Sequence, residues 1–515
     1  MKYPIGIQDF EKIRTGGYAY VDKTALIYKL ANEGNYYFLS RPRRFGKSLL
    51  LSTMEAYFAG KRELFEGLVM ERLENDWAAY PIVHLDLNTG KYDSEEALRQ
   101  VLDDFLSPLE DQYGTYRSEV TPELRFKGII ERMAKKHGRR VVVLVDEYDK
   151  PLLQNFDNAE LQEKLRSMLK AFYSVLKTQD RYVRFGFFTG VTKFGKISVF
   201  SDLNYLTDLS MDYRYETICG ITRQEMTDNF SEDIKALGDR YGISFDEACS
   251  RLKKRYDGYH FVENGEGVYN PFSLLSTLAK LRFGSYWFET GTPTFLVDLL
   301  KRDNFCLPNL TAQEVSGDFL NSIDSVERSP VPIIYQSGYL TIKAYDEEFN
   351  TYTLGFPNDE VEEGFVNFLL PFYANVDENL SPNFIGNFVR DLRLGHAADF
   401  MRRMESPFAD TDYRVVGNAE LYFQNAFYLV AKMLGFYVDV ERTVSDGRID
   451  MVAKTKDFIY IFEFKCDQSA EAAITQIDER GYAKPYASDH RRLVKIGVNF
   501  SREKRCIDDW KISEA

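Results

Sequence analysis

Residues 40–48 read Ser-Arg-Pro-Arg-Arg-Phe-Gly-Lys-Ser, and this stretch decides the predicted fold of the N-terminal half of the chain. An apolar run at 36–39 precedes it, and a helical pattern at 49–58 follows it. A strand, a tight loop that ends in Gly-Lys-Ser and a helix form the layout of a phosphate-binding loop. The amides of such a loop and the N-terminus of the helix favour an anion at one point. The sequence therefore predicts a nucleotide site here.

Each position of this loop has an expected role in holding ATP and Mg²⁺. Lys47 would place a point charge on the β- and γ-phosphates, and the Ser48 hydroxyl would hold Mg²⁺. Gly46 would let the backbone approach the phosphates without a Cβ in the way. The other expected nucleotide contacts in the loop are Arg43, Arg44 and Phe45.

One position departs from the usual pattern. A phosphate-binding loop normally has glycine five residues before Gly46, whereas this chain has Arg41. Because Gly-Lys-Ser alone often occurs by chance, a basic surface loop is the alternative interpretation. Residues elsewhere in the chain are needed to distinguish a nucleotide site from a basic surface loop.

A β-branched apolar run at 141–145 ends in Asp146 and Glu147. It predicts a buried parallel strand with carboxylates at its C-terminal edge, where open α/β sheets bind their ligands. Asp146 would hold Mg²⁺, directly or through water, and Glu147 would polarise the attacking water. A strand that runs out into solvent is the alternative, but the preceding Gly-Lys-Ser loop favours the nucleotide site.

Polar residues also follow the next predicted strand, at 183–192. Thr189 and Thr192 are candidates for contact with the γ-phosphate or the attacking water, although threonine also simply suits a strand. We expect residues 193–209 to form a polar loop beside this edge. No arginine finger stands out, and the candidates are Arg43, Arg44, Arg223 and Arg255.

Composition limits the possible classes of protein. With 515 residues and 44% hydrophobic residues, the chain predicts several domains with real cores. A formal net charge of −14 argues against adhesion to nucleic acid by bulk charge. Five cysteines without a Cys-x-x-Cys pair favour a reducing compartment and argue against disulfides or a zinc knuckle. Without a signal-peptide pattern or a long apolar run, we expect a soluble, cytoplasmic protein.

The last third of the chain carries a second set of acidic residues on predicted strands. Asp450 lies on the strand at 447–453, whereas Glu463 and Lys465 share one face of the strand at 458–465. Two converging carboxylates need a cation, and a lysine one pleat further can orient or deprotonate a water. This is the apparatus of metal-assisted phosphodiester hydrolysis. An exposed, salt-bridged strand end is the alternative.

Further residues would support this second site. Glu420, on the amphipathic helix at 418–434, would hold the metal, and Gln476, at the start of a later helix, would contact the substrate phosphate. A basic patch would bind the nucleic-acid backbone, because the acidic chain otherwise has little charge for this purpose. The patch consists of Arg491, Arg492, Lys495, Arg502, Lys504 and Arg505.

The N-terminal half resembles the AAA-ATPase-like domain found in many bacterial proteins. The motifs that carry the resemblance are Pro4–Gly6 with Asp9–Phe10, Tyr20–Thr24, Ser40–Ser48 and Tyr256–Tyr259. The resemblance implies that Arg41 belongs to the normal loop of that family.

Residues 410–505 resemble the PD-(D/E)XK nuclease superfamily. In its pattern Asp450, Glu463 and Lys465 are the core residues, and Glu420 and Gln476 match accessory positions. Ile449 stands where the name of the superfamily has proline, which is a common departure.

We therefore expect an α/β protein. It should contain a three-layer P-loop NTPase sheet domain with a helical lid, a helical connecting region, and a C-terminal α/β restriction-endonuclease-like domain. The predicted domains are 1–214 for the ATPase-like domain, 215–285 for the lid, 286–400 for a connecting helical or winged module, and 401–515 for the nuclease-like domain.

The predicted function is a P-loop ATPase fused to a Mg²⁺-dependent nuclease that acts on DNA or RNA. Such fusions suggest defence or mobile-element biology, by association only. One alternative is a nucleotide-switched regulator or scaffold whose C-terminal domain binds nucleic acid or a partner without cleavage. Another is an ATPase unrelated to nucleic acid. The sequence does not exclude a homo-oligomer, since in many P-loop relatives a neighbouring subunit supplies an arginine to the site.

Overall fold

The structure is a computed structural model. It describes residues 1–193, 196–203, 205–288, 294–303, 305–311, 314–321, 329–373, 381–408, 419–435, 437–445, 448–504 and 506–514. The side chains of Glu420 and Asp450, and the whole of Arg505, lie outside the described residues.

The chain forms two compact units, residues 1–290 with 313–360 and residues 291–312 with 361–515. Residues of the predicted connecting module, 286–400, contribute to both units. The boundaries of the four predicted domains stay a prediction, because this division is coarser than they are.

A five-stranded parallel sheet organises the first unit. Its strands are β1 (Tyr36–Ser40), β2 (Ile82–Asp86), β3 (Val141–Asp146), β4 (Val183–Gly190) and β5 (Leu206–Asp208). Their order in the sheet is β2-β3-β4-β1-β5. Every residue of β1 and β3 is buried, which is typical of central strands in an α/β sheet. The predicted α/β class and the strand before the predicted phosphate-binding loop are confirmed.

Several of the longer helices of the first unit begin with side chains that cap their free amides. Ser94 accepts a hydrogen bond from the Ala97 amide, and Thr222 forms a reciprocal capping box with Glu225. The helices are α1 (Phe10–Gly16), α2 (Thr24–Glu33), α3 (Lys47–Phe58), α4 (Val69–Leu73), α5 (Glu95–Tyr113), α6 (Pro122–His137), α7 (Lys150–Leu153), α8 (Ala159–Thr178), α9 (Lys196–Val199), α10 (Arg223–Tyr241), α11 (Phe245–Tyr256) and α12 (Pro271–Lys280).

Residues 193–209 are not simply a loop, as the sequence had led us to expect. They include α9 and the edge strand β5, which pairs with β1 and sets Leu206 opposite Tyr36. The prediction was wrong here because a strand of three residues is too short for hydrophobic alternation to reveal it.

The remainder of the first unit carries a small antiparallel sheet. Its strands are β6 (Glu314–Ser316), β7 (Thr341–Asp346) and β8 (Thr351–Gly355), in the order β6-β8-β7. Two short helices accompany them, α14 (Gly317–Asn321) and α15 (Val331–Gln336). Helices α10, α11 and α12 share a separate apolar core, against which Tyr3, Ala19 and Val21 of the N-terminal segment also pack.

The second unit is built on a five-stranded mixed sheet. Its strands are β9 (Asp439–Ser445), β10 (Arg448–Lys454), β11 (Phe458–Cys466), β12 (Arg492–Ser501) and β13 (Cys506–Glu514), in the order β13-β12-β11-β10-β9. Strands β11 and β12 are parallel, and the other pairs are antiparallel. The helices of this part of the chain are α13 (Thr294–Arg302), α16 (Asp359–Tyr373), α17 (Ser381–Leu394), α18 (Ala397–Phe408), α19 (Ala419–Gly435) and α20 (Ala470–Glu479).

Helix α20 covers one face of β11 and β12. Ile474 and Ile477 of the helix pack against Ile459 and Ile461 of the strand. Gln476 lies in the second turn of this helix, so its expected place at the start of a helix was wrong. Ser469 caps the Ala472 amide and starts the helix earlier.

Among the helices that the structure describes, none combines the length and apolar character needed to cross a membrane.

Candidate functional site

The loop before α3 leaves room for an anion at the N-terminus of that helix. Gly46 is exposed and has a φ of 91°, a left-handed conformation that glycine adopts without steric cost. A Cβ added at Gly46 would meet no atom within 4 Å. The first amides of a helix have no intrahelical partner and attract negative charge. The residues present therefore fit a bound phosphate group.

Lys47 is held at the centre of this site. Its side chain is 4% exposed, and its Nζ lies 3.5 Å from Oε1 of Glu147. The same amine donates to the carbonyl oxygen of Arg41 at 3.1 Å and is 3.4 Å from that of Pro42. The structure thus brings together the lysine of the predicted loop and the glutamate predicted to polarise water.

Arg41 is not part of a basic surface loop. It is 1% exposed, and its guanidinium lies 3.9 Å from the ring centre of Phe261. It donates to the carbonyl oxygens of Ser40 at 3.0 Å, Ser210 at 2.9 Å and Tyr215 at 3.4 Å. Burial lowers the pKa of this guanidinium below its usual value. Arg41 therefore ties the start of the loop to the chain after β5, and the surface-loop alternative is wrong for this residue.

Arg41→Ala is expected to lower the free energy of unfolding by about 3 kcal/mol, because it leaves buried carbonyl groups without their donors. The change should appear as a lower melting temperature of the full-length protein. Arg44→Ala is the matched control, since Arg44 is an exposed arginine of the same loop. Equal melting temperatures for the two variants would contradict this role of Arg41.

The other loop residues that were predicted to contact the nucleotide mostly contact the rest of the first unit. Arg43 donates to the Tyr339 hydroxyl at 3.1 Å, and its carbonyl oxygen accepts from Trp287 Nε1 at 3.0 Å. Phe45 is buried, with its ring 4.7 Å from that of Tyr259. Arg44 is exposed at a φ of 67°.

The two remaining arginine-finger candidates lie on α10 and α11. Arg223 is the first residue of α10. Arg255 on α11 donates to Ser285 Oγ at 3.0 Å, which engages it within its own unit.

The carboxylate of Asp146, at the end of β3, is held by a neighbour on β4. Asp146 is 3% exposed, and its Oδ1 accepts from the Thr189 hydroxyl and from the Glu147 amide. Glu147 has a φ of 55°, which is uncommon for a residue other than glycine. Observed conformations of this kind cluster at functional sites. Thr189, a candidate from the sequence, thus lies beside the predicted metal ligand Asp146.

Asp149 is a buried acid to which the sequence reasoning gave no role. It is fully buried, and it accepts hydrogen bonds from the Thr192 amide and hydroxyl at 2.6 and 2.8 Å. Burial and the charge of Glu147 raise the pKa of Asp149 to about 7. Its proximity to Asp146 and Glu147 in the chain was the signal that could have identified it.

An apolar cavity of about 100 Å³ lies beside the loop. Gly46 and Leu49 line one side, Tyr20 and Val21 of the N-terminal segment line another, and Leu275 of α12 also contributes. Apolar walls of this kind are typical of the part of a binding site that receives a flat ring system.

The second predicted site is a buried polar cluster between β11 and α20. Glu463 is completely buried, and Lys465 Nζ lies 3.1 Å from its Oε1. Gln476 donates to Glu463 and accepts from Lys465. The helix can come this close because Gly497 on β12 has no side chain; a Cβ there would lie 2.4 Å from the Ala470 carbonyl oxygen. Three predicted residues therefore meet.

The two other predicted metal ligands of this site are not described as side chains. The backbone of Asp450 pairs with Thr443 on β9, and Glu420 is the second residue of α19. Among the side chains that the structure does describe, no group of three His, Cys, Asp or Glu residues has the arrangement of a metal site.

Most cations of the predicted basic patch are paired with carboxylates. Arg491 lies 2.6 Å from Asp489, and Lys495 lies 2.7 Å from Asp478. The ion pairs Arg502–Asp467 and Lys504–Asp508 are longer, at 3.5 and 3.4 Å. Arg492 is exposed at the start of β12. Pairing leaves this surface less positive than its sequence suggested.

Comparisons with known proteins match two separate parts of the chain. Residues 4–200 match the family model described as "Predicted AAA-ATPase", and residues 418–510 match that of the PD-(D/E)XK nuclease superfamily. An "Uncharacterized protein in vnfD 5'region" from Azotobacter chroococcum mcd 1 is 37% identical over 519 residues, which cover 98% of each chain. The two resemblances inferred from the motifs are confirmed.

Proposed function

Because the chain belongs to the family of AAA-ATPase-like proteins with a C-terminal PD-(D/E)XK nuclease superfamily domain, we propose that it hydrolyses ATP and cleaves nucleic acid. The observation that supports the proposal most strongly is the contact between buried Lys47 and Glu147 beside the open N-terminus of α3. A cation for phosphate and a carboxylate for water then lie at one point, as phosphoryl transfer requires.

Residues of the first unit have separate roles in the proposed hydrolysis of ATP. Lys47 binds the β- and γ-phosphates, and Glu147 orients the attacking water and polarises it. Ser48 and Asp146 would hold Mg²⁺, which supplies positive charge to the phosphates when bound. The base would enter the apolar cavity lined by Tyr20, Val21 and Leu49.

The polar cluster of the second unit supports phosphodiester hydrolysis. On β10 and β11, Met451 lies opposite Phe462, so continuing this antiparallel register by one residue would bring Asp450 opposite Glu463. Together with Glu420, these carboxylates would hold Mg²⁺, which would supply Lewis-acid chemistry at the scissile phosphate. Lys465 orients the water, and Gln476 and Arg492 contact the phosphate backbone.

A specific observation also favours the regulatory alternative. Arg491 and Lys495, expected to bind the nucleic-acid backbone, are engaged with Asp489 and Asp478. If these pairs persist, nucleotide binding would switch a C-terminal domain that grips nucleic acid or a protein partner without cutting it. This alternative keeps ATP binding but drops fast turnover and the cleavage step.

The proposal extends to the cellular setting. Five cysteines without a Cys-x-x-Cys pair support a reducing, cytoplasmic location. A role in defence or mobile-element biology, and assembly into a homo-oligomer, complete the proposal.

One assay with systematic omissions tests the proposed function. Purified full-length protein is incubated with plasmid DNA or RNA, Mg²⁺ and ATP, and each component is left out in turn. We expect phosphate release that requires Mg²⁺, and cleavage of at least one nucleic acid that also requires Mg²⁺. Absence of cleavage would contradict the proposed nuclease, and ATP binding without turnover or cleavage would favour the regulatory alternative.

A further inference from the structure

Asp149 connects the turn after β3 to the end of β4. Its Oδ1 accepts from the Val191 amide at 3.2 Å, and its Oδ2 accepts from the Thr192 amide and hydroxyl. A buried carboxylate is costly unless several donors satisfy it, and this one receives three hydrogen bonds from two adjacent residues.

Neighbouring residues are shaped to accommodate this contact. A Cβ added at Gly190 would lie 2.7 Å from Asp149 Oδ1 and 2.6 Å from the ring of Tyr148, so glycine is required for the approach. The Tyr148 amide also donates to the Thr189 carbonyl oxygen at 3.0 Å. The residues after β3 are therefore fastened to the end of β4 on both sides of Gly190.

Glu147 lies within the segment that these bonds fasten. Its φ of 55° is uncommon for glutamate, and such a conformation persists only where the surroundings impose it. The bonds made by Tyr148 and Asp149 follow it directly in the chain. In this backbone arrangement its Oε1 lies 3.5 Å from Lys47 Nζ, so loss of the fastening should move Glu147 relative to Lys47.

We propose that Asp149 is a positioning residue of the nucleotide site, which holds Glu147 and Thr192 in place around the γ-phosphate. This inference rests on the proposed ATP hydrolysis, and Asp149 itself touches neither ATP nor the attacking water. Asp149 acts through Thr192, whose amide and hydroxyl it orients, and through the backbone of Glu147. A misplacement of such groups by about 1 Å is enough to cost on the order of 100-fold in rate.

The substitution Asp149→Asn tests this role because it keeps the shape and replaces an acceptor oxygen with a donor. The fold should survive, since the Lys193 amide also binds Gln336 Oε1 at 2.7 Å and helps to hold this segment. Asp157→Asn is the matched control, because Asp157 is exposed. Asp149→Asn should melt at a modestly lower temperature, because its amide NH2 faces a backbone N–H, whereas Asp157→Asn should melt as the wild type does.

We expect Asp149→Asn to lower kcat for ATP by about 30-fold with KM changed less than about threefold, as for a group that acts in the transition state. Thr192→Val should lower kcat in the same direction, and Thr192→Ser should restore it because it keeps the hydroxyl. An unchanged kcat in Asp149→Asn, or equal loss in Thr192→Ser and Thr192→Val, would overturn the proposal.

A binding measurement separates this proposal from the proposed hydrolysis. If Thr192 is placed beside the γ-phosphate, Asp149→Asn should lower the ratio of ATP affinity to ADP affinity by up to about threefold, in keeping with the small change in KM, measured calorimetrically with Mg²⁺. If the wild type does not hydrolyse ATP, the proposed ATPase activity is contradicted but the positioning role of Asp149 is not. An ATP-to-ADP ratio identical in wild type and Asp149→Asn would then overturn the positioning role.

Discussion

Lys47→Ala is expected to abolish measurable ATP hydrolysis, with a loss of at least about 100-fold in kcat/KM, because it removes a charge that contacts the transferring phosphoryl group. ATP affinity should fall as well, since the same charge binds the β- and γ-phosphates in the ground state. Phosphate release and calorimetric binding of ATP with Mg²⁺ are the two measurements. Together they locate the ATP site at the N-terminus of α3.

The control for this variant is Lys61→Ala, which changes a half-exposed lysine of the same unit that pairs with Glu11. It should bind and hydrolyse ATP as the wild type does. Glu147→Gln provides the contrast, because it removes the carboxylate that orients water but leaves Lys47 in place. It should keep ATP affinity while losing turnover. If Lys47→Ala retained wild-type affinity, the phosphate site would have to lie elsewhere.

Much of the proposed nucleotide site could be predicted because its residues follow strands with strong patterns. The apolar runs before Ser40 and Asp146 are long enough to be recognised as buried strands, and parallel strands bring their C-terminal ends to one edge. That logic placed Lys47 and Glu147 near one another without any knowledge of their contact. The structure adds the distance and the unusual backbone of Glu147.

Other features could not be predicted, because they depend on contacts between distant segments. In the sequence, Arg41 has the features of a solvent-exposed loop residue. In the fold, the carbonyl groups of Ser210 and Tyr215, far along the chain, accept its hydrogen bonds. The role of Asp149 likewise depends on Thr192, which follows the end of β4. Hydrophobic periodicity describes which faces are buried, and it contains no information on such polar pairings.

The nuclease-like site likewise has features that could be predicted from the sequence and features that could not. Alternation along β11 correctly placed Glu463 and Lys465 on one face, because side chains two residues apart always share a face of a strand. The start of α20 was misplaced, although the functional prediction for Gln476 did not depend on it. Three-dimensional packing of α20 at Gly497 explains why Gln476 nevertheless reaches the cluster.

Lys465→Ala is expected to abolish Mg²⁺-dependent cleavage of nucleic acid while leaving ATP hydrolysis unchanged. Its amine contacts both Glu463 and Gln476, so its loss removes the group that would orient or deprotonate the attacking water. A general acid–base group of this kind contributes about 100- to 10,000-fold to the rate. Cleavage of plasmid or RNA and phosphate release from ATP are measured on the same preparation.

The stability of the second unit has to be controlled in this experiment, because Lys465→Ala leaves a buried carboxylate with one fewer partner. Lys465→Met keeps more of the apolar stem and should lose cleavage equally while melting closer to the wild type. Lys511→Ala, which changes a half-exposed lysine of β13 paired with Glu471, should cleave normally. Asp450→Ala should match Lys465→Ala in activity, since both belong to the proposed site. Cleavage by Lys465→Met and Asp450→Ala at the wild-type rate would show that hydrolysis occurs at a different place in the chain.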